Sequence, residues 1–108
     1  MSWNIVLFES ARGDKHVEDF ILTFDAGLQA KIIRTIGLLE QYGPTIGMPH
    51  SKKVSSNIYE LRIRGKNQAR ILYGYKNKQI FLLHGFIKKS NKLNKKDIKL
   101  AENRLDSI

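Results

Sequence analysis

The chain has 108 residues with a formal net charge of +9, and 42% of its residues are hydrophobic, which predicts one globular domain over 1–108 with a polyanionic partner. It contains no cysteine, which excludes a disulfide scaffold, a thiolate nucleophile, an iron–sulfur cluster and a zinc site built on sulfur. No apolar run approaches the roughly 18–20 residues of a membrane span and no signal-peptide pattern is recognisable, so we expect a soluble cytoplasmic protein with no membrane partner.

The N-terminal part of the chain predicts one strand and two helices. The β-branched and aromatic run over 3–8 is typical of a buried strand. Apolar residues over 17–24 recur at i, i+3, i+4 and i+7, which predicts a helix with one apolar face. Asp25 is suited to cap a second such helix over 28–39, and Gly43 to end it. The short link between the two helices predicts a helical hairpin.

The segment that begins at residue 58 changes to a period of two, which is typical of strands. Residues 58–64 alternate between apolar and charged side chains and predict a half-buried strand, and 70–75 predict a second one. Residues 80–87 are apolar on both faces and predict an interior strand. Short polar turns link these strands, which predicts an antiparallel meander.

A last helix is predicted from the apolar positions Ile98, Ala101 and Leu105, with Asn94 as its cap. Residues 48–53 are expected to form a loop. The order β-α-α-β-β-β-α predicts an α+β fold in which an antiparallel sheet packs on the N-terminal helical hairpin and a C-terminal helix follows.

Strand parity assigns the side chains of the meander to two faces. The face away from the helical hairpin is predicted to be open and to carry a charged and aromatic set: Glu60, Arg62, Arg64, Arg70, His84, Phe86 and Lys88. The assignment of the third strand requires Phe81, Leu83 and Ile87 to face the hairpin.

Positive charge is concentrated in this half of the chain. The stretch 51–96 carries thirteen Lys and Arg residues against one acid, whereas the rest carries six cations and nine acids. This distribution favours a nucleic-acid face, on which cations bind phosphates and an aromatic ring stacks on a base. The candidate RNA-binding residues are Arg64, Lys66, Phe86, Lys92 and Lys95. The alternative is that the arginines are solvated cross-strand partners, with Glu60 paired to Arg62.

Three sequence blocks carry a resemblance that covers nearly the whole chain. They are IYELR at 58–62, ARILY at 69–73 and LLHGFIKK at 82–89. In this order and spacing they resemble the HigB branch of the RelE/ParE superfamily of toxins, whose members are also described as phage-derived Gp49-like proteins. Many relatives continue the last block as K-K-T-x-K-T-P, whereas this chain has KKSNKLN at 88–94, which keeps Lys92 but replaces the Thr-Pro pair.

The resemblance implies a compact RelE-like fold of the microbial-RNase type. It also implies the toxin of a type II toxin–antitoxin system, which cleaves mRNA on the translating ribosome. The implied partners are a cognate antitoxin with a helix-turn-helix DNA-binding domain, the ribosome with its mRNA, and promoter DNA reached only through the antitoxin.

Metal-independent ribonucleases of this kind must move the 2′-OH proton, stabilise charge on phosphorus and protonate the leaving oxygen. Arg70 and Arg62 are the candidates for clamping the phosphate, since a guanidinium binds two of its oxygens. Lys88 and Lys89 are candidates for stabilising charge or donating a proton. His84 is the candidate for proton transfer, against the alternative of a half-buried histidine bonded to backbone.

The remaining polar residues are expected to be structural. Glu60 is expected to form an ion pair, Tyr73 and Tyr75 to pack in the core, and the loop residue His50 to be solvated. The three histidines lack metal-ligand spacing, so no metal or cofactor is expected. Because Arg70 is placed on an open face, its replacement by alanine is expected to cost less than about 0.5 kcal/mol of stability.

Two other functions remain open at this stage. One is a relative of the toxins that only binds nucleic acid or acts as a co-repressor without cleavage. The other is a gyrase-directed toxin of the ParE type, which has no need of clustered cations on the sheet face. Fold resemblance alone does not separate these activities.

Overall fold

The protein has the mixed α+β architecture that the sequence predicts, described here for residues 2–108 of a computed structural model. The helices and strands follow the order β1 (Asn4–Leu7), α1 (His16–Leu22), α2 (Ala26–Tyr42), a 3-10 turn (Gly43–Thr45), β2 (Ser51–Lys53), β3 (Tyr59–Arg62), β4 (Ala69–Lys76), β5 (Gln79–Ile87) and α3 (Lys95–Asp106). No helix within this range is both long and apolar enough to cross a membrane.

One five-stranded sheet, ordered β1-β5-β4-β3-β2, forms the centre of the molecule. The predicted antiparallel meander of β3, β4 and β5 is confirmed, and so is the interior position of β5. The sheet is not purely antiparallel, because β1 pairs in parallel with β5. β1 lies at the edge and is only partly buried, so the expectation of a buried strand is wrong. Its apolar side chains serve both faces, with Ile5 packed on one core and Val6 on the other.

β2 occupies part of the segment expected to be a loop. It pairs antiparallel with β3, and its first residue, Ser51, hydrogen-bonds through its hydroxyl to the hydroxyl of Tyr73. This strand has only three residues, two of which are exposed lysines, so it shows no alternation of apolar and polar side chains from which it could be predicted.

The helical hairpin of α1 and α2 covers one face of the sheet. The Asp25 side chain accepts a hydrogen bond from the Leu28 amide at 2.9 Å, which confirms the predicted cap. The apolar stripes of the two helices are buried against β3, β4 and β5, and their buried members are Val17, Ile21, Leu28, Ile32 and Leu39.

Gly43 ends α2 and lies directly against the indole of Trp3. Its φ is +54°, and a Cβ at this position would overlap the Nε1 and Cδ1 atoms of the ring. Trp3 has little freedom to withdraw, since its amide bonds to the Glu40 carbonyl at 2.8 Å and its ring lies edge-on to Tyr75 at 5.6 Å. The site therefore requires glycine for both its backbone conformation and its space.

We expect Gly43→Ala to lower the free energy of unfolding by about 1–3 kcal/mol, since it combines backbone strain with overlap on Trp3. Gly37→Ala is the matched control, because a Cβ there meets nothing within 4 Å in the middle of α2. That change should instead stabilise the protein by about 0.5–1 kcal/mol. Thermal unfolding followed by circular dichroism measures both, and equal melting temperatures would contradict the role assigned to Gly43.

The C-terminal helix α3 packs on the other face of the sheet. Its buried residues Ala101 and Leu105 lie in a second core with Phe8, Leu72 and Leu83. The Asn94 side chain accepts from the Lys96 amide at 2.8 Å, which confirms the predicted cap. The expectation that this face is open is therefore wrong for its central part. Apolar side chains of β4 and β5 point to this face, and α3 is needed to bury them away from solvent.

A β-bulge in β5 separates the strand into two halves. Leu72 pairs with His84 but Tyr73 pairs with Leu82, so Leu83 is an extra residue with no partner on β4. Leu83 and His84 consequently point to the same face, that of α3. Arg104 of α3 donates a hydrogen bond to the Leu83 carbonyl at 2.7 Å, which ties the helix to the bulge.

The bulge corrects the predicted parity of β5. Phe81 and Leu83 face α3, so their assignment to the hairpin side is wrong. Ile87 does face the hairpin, as predicted. His84 and Phe86 lie on the predicted face only because the extra residue shifts the alternation.

Candidate functional site

Two rows of cross-strand neighbours cross the sheet on the face of α3. The register of β3, β4 and β5 aligns Arg62 with Arg70 and Arg70 with Phe86. The next row aligns Glu60 with Leu72, and Leu72 with His84. Directly opposite residues in antiparallel strands share a face and have Cα atoms about 4.5–5.5 Å apart. The sheet therefore brings together the predicted residues Arg62, Arg70, His84 and Phe86.

Glu60 is buried between the two arginines of the first row. Only 1% of it is exposed, and its Oε1 accepts a hydrogen bond from Arg62 Nε at 3.0 Å. Its Oε2 forms an ion pair with Arg70 Nε at 3.6 Å. Burying a carboxylate is costly unless it is paired, so the two guanidiniums are what allow Glu60 to lie here. The prediction of a structural ion pair at Glu60 is confirmed.

The Arg70 side chain is held from three sides. Besides the pair with Glu60, its Nη1 donates to the Ala69 carbonyl at 3.1 Å and its Nη2 to the Gln68 side-chain oxygen at 2.9 Å. Burial lowers the pKa of the Arg70 guanidinium, the charge of Glu60 opposes this change, and Arg62 adds to it. A guanidinium nonetheless remains charged at neutral pH.

The premise that Arg70 lies exposed on an open face, on which the expected cost of less than about 0.5 kcal/mol depended, is wrong. Only 11% of its side chain is exposed, and it neutralises a buried carboxylate. Removing it would leave Glu60 with one partner in place of two.

His84 is bound by a carboxylate that the sequence did not single out. Its Nε2 lies 2.7 Å from Asp97 Oδ1, on the first turn of α3, and its ring stacks on Phe86 with centroids 5.4 Å apart. The side chains of His84 and Asp97 are 17% and 26% exposed, so the pair is partly accessible to solvent. The predicted alternative, a histidine bonded to backbone, is not what this contact shows. The signal that could have placed Asp97 on the sheet side of α3 is its position four residues before Ala101 and eight before Leu105, the buried residues of the helix.

A cleft of about 470 Å³ opens beside this pair, between the end of β5 and the start of α3. Its lining residues are Phe86, Ile87, Lys88, Lys89, Ser90, Lys92, Asn94 and Asp97. The Lys88 amide bonds to the Gln68 carbonyl at 2.9 Å, which fixes the chain where the lysine segment leaves the sheet. The cleft thus joins three of the predicted cations to Phe86 and to the carboxylate that holds His84.

Arg64 lies at the margin of the predicted face. β3 ends at Arg62, and Gly65 has a φ of +135°, so the alternation of the strand does not reach Arg64. Arg64 instead lines a smaller cleft of about 250 Å³ together with Arg62 and Arg70.

Two predicted RNA-binding residues line none of these clefts. Lys66 is exposed in the β3–β4 turn, and Lys95 is exposed at the start of α3. The geometry therefore gives them no position in the site beyond its margin.

The tyrosines of β4 belong to the hairpin-side core, as predicted. Tyr73 is stacked on Tyr59 with centroids 5.5 Å apart and lies edge-on to Tyr75 at 5.8 Å. Burial raises the pKa of Tyr73, and it raises the pKa of Tyr75 beyond the ordinary range for a phenol. Neither hydroxyl is suited to proton transfer near neutral pH.

Among residues 2–108, no three His, Asp or Glu side chains are grouped closely enough to hold a metal ion.

A sequence model of the family described as "Phage derived protein Gp49-like (DUF891)" matches residues 19–106, which includes every candidate site residue. No curated protein matches the chain.

Proposed function

Because the chain belongs to the Gp49-like family of phage-derived proteins, a toxin-like family of toxin–antitoxin systems, we propose that it is a HigB-type endoribonuclease that cleaves mRNA on the ribosome and stops translation. The observation that carries the proposal is the carboxylate-bound His84, which shares one sheet face with a pair of arginines and whose partner Asp97 lines a lysine-rich cleft. Phosphate clamp, proton acceptor and further cations are the groups that RNA cleavage through the 2′-OH requires.

In the proposed reaction the substrate's own 2′-oxygen attacks the adjacent phosphorus. A bond forms between that oxygen and phosphorus, the bond to the 5′-oxygen breaks, and the products are a 2′,3′-cyclic phosphate and a 5′-hydroxyl. The RNA supplies the nucleophile, so no metal-bound water is needed. Arg70 and Arg62 bind the non-bridging oxygens, where negative charge accumulates.

The His84–Asp97 pair provides a route for the first proton. When the Nε2–H of a neutral His84 donates to Asp97, Nδ1 carries the lone pair and can accept the 2′-OH proton. Asp97 then stabilises the resulting imidazolium. Lys88 or Lys89 donates a proton to the leaving 5′-oxygen from the cleft.

The proposed partners follow from the same activity. The toxin acts in the cytoplasm on ribosome-bound mRNA. A cognate antitoxin with a helix-turn-helix domain neutralises it and supplies the only contact of the complex with promoter DNA. The concentration of cations between residues 51 and 96 favours an antitoxin whose docking segment is acidic.

The test is to induce the chain in cells and map RNA ends across the transcriptome. We expect new 5′-hydroxyl ends confined to translated frames and arrest of protein synthesis. Lys78→Gln is the control for the charge variants of the site. Lys78 lies in the β4–β5 turn, at the opposite end of these strands from Arg70, so this variant should produce the same RNA ends as the parent chain. Intact transcripts during growth arrest would overturn the proposal, and DNA breaks would indicate a gyrase-directed toxin instead.

A further inference from the structure

A second basic groove lies on the hairpin side of the molecule, between α2 and the β3–β4 turn. It has a volume of about 220 Å³. Its lining residues are Lys31, Arg34, Thr35, Leu38, His50, Arg64 and Gly65. None of the candidate catalytic side chains is among them.

Helical spacing explains why cations line this groove. Lys31, Arg34 and Leu38 lie at i, i+3 and i+7 on α2 and share one side of the helix. The core-facing residues Leu28, Ile32 and Leu39 occupy the adjoining side. These cations are therefore displayed beside the sheet without being buried in it.

The β3–β4 turn closes the groove from the other side. The turn lies close to the end of the Lys31 side chain, since a Cβ added at Gly65 would be in ordinary van der Waals contact with Lys31 Nζ at 3.5 Å. Arg64 reaches the groove from the same turn, and His50 reaches it from the chain before β2.

The positive charge of the groove has no counterion within residues 2–108. Lys31, Arg34 and Arg64 take part in none of the ion pairs that these residues form. The only acid on α2 is Glu40, nine residues after Lys31. Like charges held close together without a partner disfavour the free protein and favour an anionic ligand.

The groove is continuous with the candidate site. Arg64 and Gly65 line it, and they also line the cleft that holds Arg62 and Arg70. A chain of phosphates bound at the two arginines of the sheet can therefore continue around the β3–β4 turn without leaving positive surface.

We propose that this groove binds the sugar–phosphate backbone of the RNA beyond the cleaved bond, in a manner independent of sequence. The proposal rests on the function proposed above and extends it to a second contact. Lys31 and Arg34 contact phosphates, and Arg64 links the groove to the catalytic face. An acidic protein segment is the competing occupant, but continuity with the arginine pair favours a polymer that crosses both.

The test compares Lys31→Gln/Arg34→Gln with the control Lys15→Gln/Lys78→Gln, which removes the same charge outside every cleft described. All four side chains belong to exposed residues, so both variants should fold. Binding is measured by fluorescence anisotropy with a 2′-O-methyl RNA of about 20 nucleotides, which cannot be cleaved through its 2′-oxygen.

Loss of two phosphate contacts should reduce the slope of log affinity against log salt by about 1.4, and affinity should fall roughly tenfold at low salt. The control should keep the parental slope to within about 0.3. An unchanged slope in Lys31→Gln/Arg34→Gln would overturn the proposal. So would a variant that binds RNA like the parent but loses affinity for a polyglutamate peptide of equal charge.

This assay separates the two proposals, because it requires neither cleavage nor ribosomes. If no new RNA ends appear in cells but the salt slope of Lys31→Gln/Arg34→Gln changes, the groove binds RNA and the nuclease proposal is refuted. If RNA is cleaved in cells but the salt slope is unchanged, the nuclease proposal is supported and the groove proposal is refuted.

Discussion

Replacing Arg70 with alanine is expected to reduce ribosome-dependent cleavage by about 10²–10³-fold and to remove toxicity, because the proposed transition state loses one of its two guanidinium clamps. The same change should lower the free energy of unfolding by about 1–3 kcal/mol, since the buried Glu60 loses one partner. The measurements are cleavage on purified ribosomes and urea unfolding of the same preparations.

Two further variants separate the chemical effect from the structural one. Arg70→Lys keeps the charge beside Glu60 but loses the planar fork, so stability should largely return while cleavage stays low. Glu60→Gln/Arg70→Ala removes the buried charge together with its partner and should also recover part of the stability without cleavage. Parental toxicity in either variant would refute the role assigned to Arg70.

The second large effect is expected at the His84–Asp97 pair. His84→Gln should slow the cleavage step by about 10²–10⁴-fold, which is the usual loss when a positioned proton acceptor is removed. Asp97→Asn is nearly isosteric but cannot stabilise an imidazolium, so it should slow the same step while ribosome binding is unchanged. Single-turnover cleavage at saturating ribosome concentration measures both.

The double variant distinguishes a functional pair from two independent residues. If Asp97 acts through His84, the double variant should be no slower than His84→Gln alone, because the two losses are not additive. Asp97 also lies in the first turn of α3, so its neutralisation should cost about 0.3–1 kcal/mol of stability whatever its role. A parental cleavage rate in Asp97→Asn, with only this loss of stability, would make the contact structural.

The parts of the fold that were predictable from the sequence rest on local patterns. Asp25 and Asn94 cap their helices as expected, because a cap needs only a side-chain acceptor two or three residues before a free amide. The meander was predictable for a similar reason, since its alternation and its short turns lie within one continuous segment.

The features that escaped prediction depend on contacts between distant segments. β1 joins the sheet by pairing in parallel with β5, some 75 residues later, and β2 is too short to show a period. The cover by α3 depends on how the helix docks, which no local pattern determines. The bulge at Leu83 is invisible to strict alternation, because one extra residue reverses the parity that follows it.

The contacts of the candidate site also differ in whether a local pattern or a contact between distant segments determines them. The Glu60–Arg62 pair was predictable because residues two apart in a strand share a face. The Glu60–Arg70 pair follows once the neighbouring strand is in register. The His84–Asp97 contact required the docked position of α3 and was missed, although both residues were visible in the sequence.

The bulge at Leu83 has a consequence for how this strand can change over generations. Before it, Ile80 and Leu82 serve the hairpin-side core, and after it His84 and Phe86 serve the opposite face. If Leu83 were drawn into the regular ladder and the bulge lost, the alternation would continue unbroken and would turn His84 and Phe86 toward the hairpin-side core without altering any side chain. Removing Leu83 itself would leave the pairing of His84 with Leu72 and of Phe86 with Arg70 unchanged. This strand can therefore lose its bulge and keep the candidate site only if its length changes by one residue.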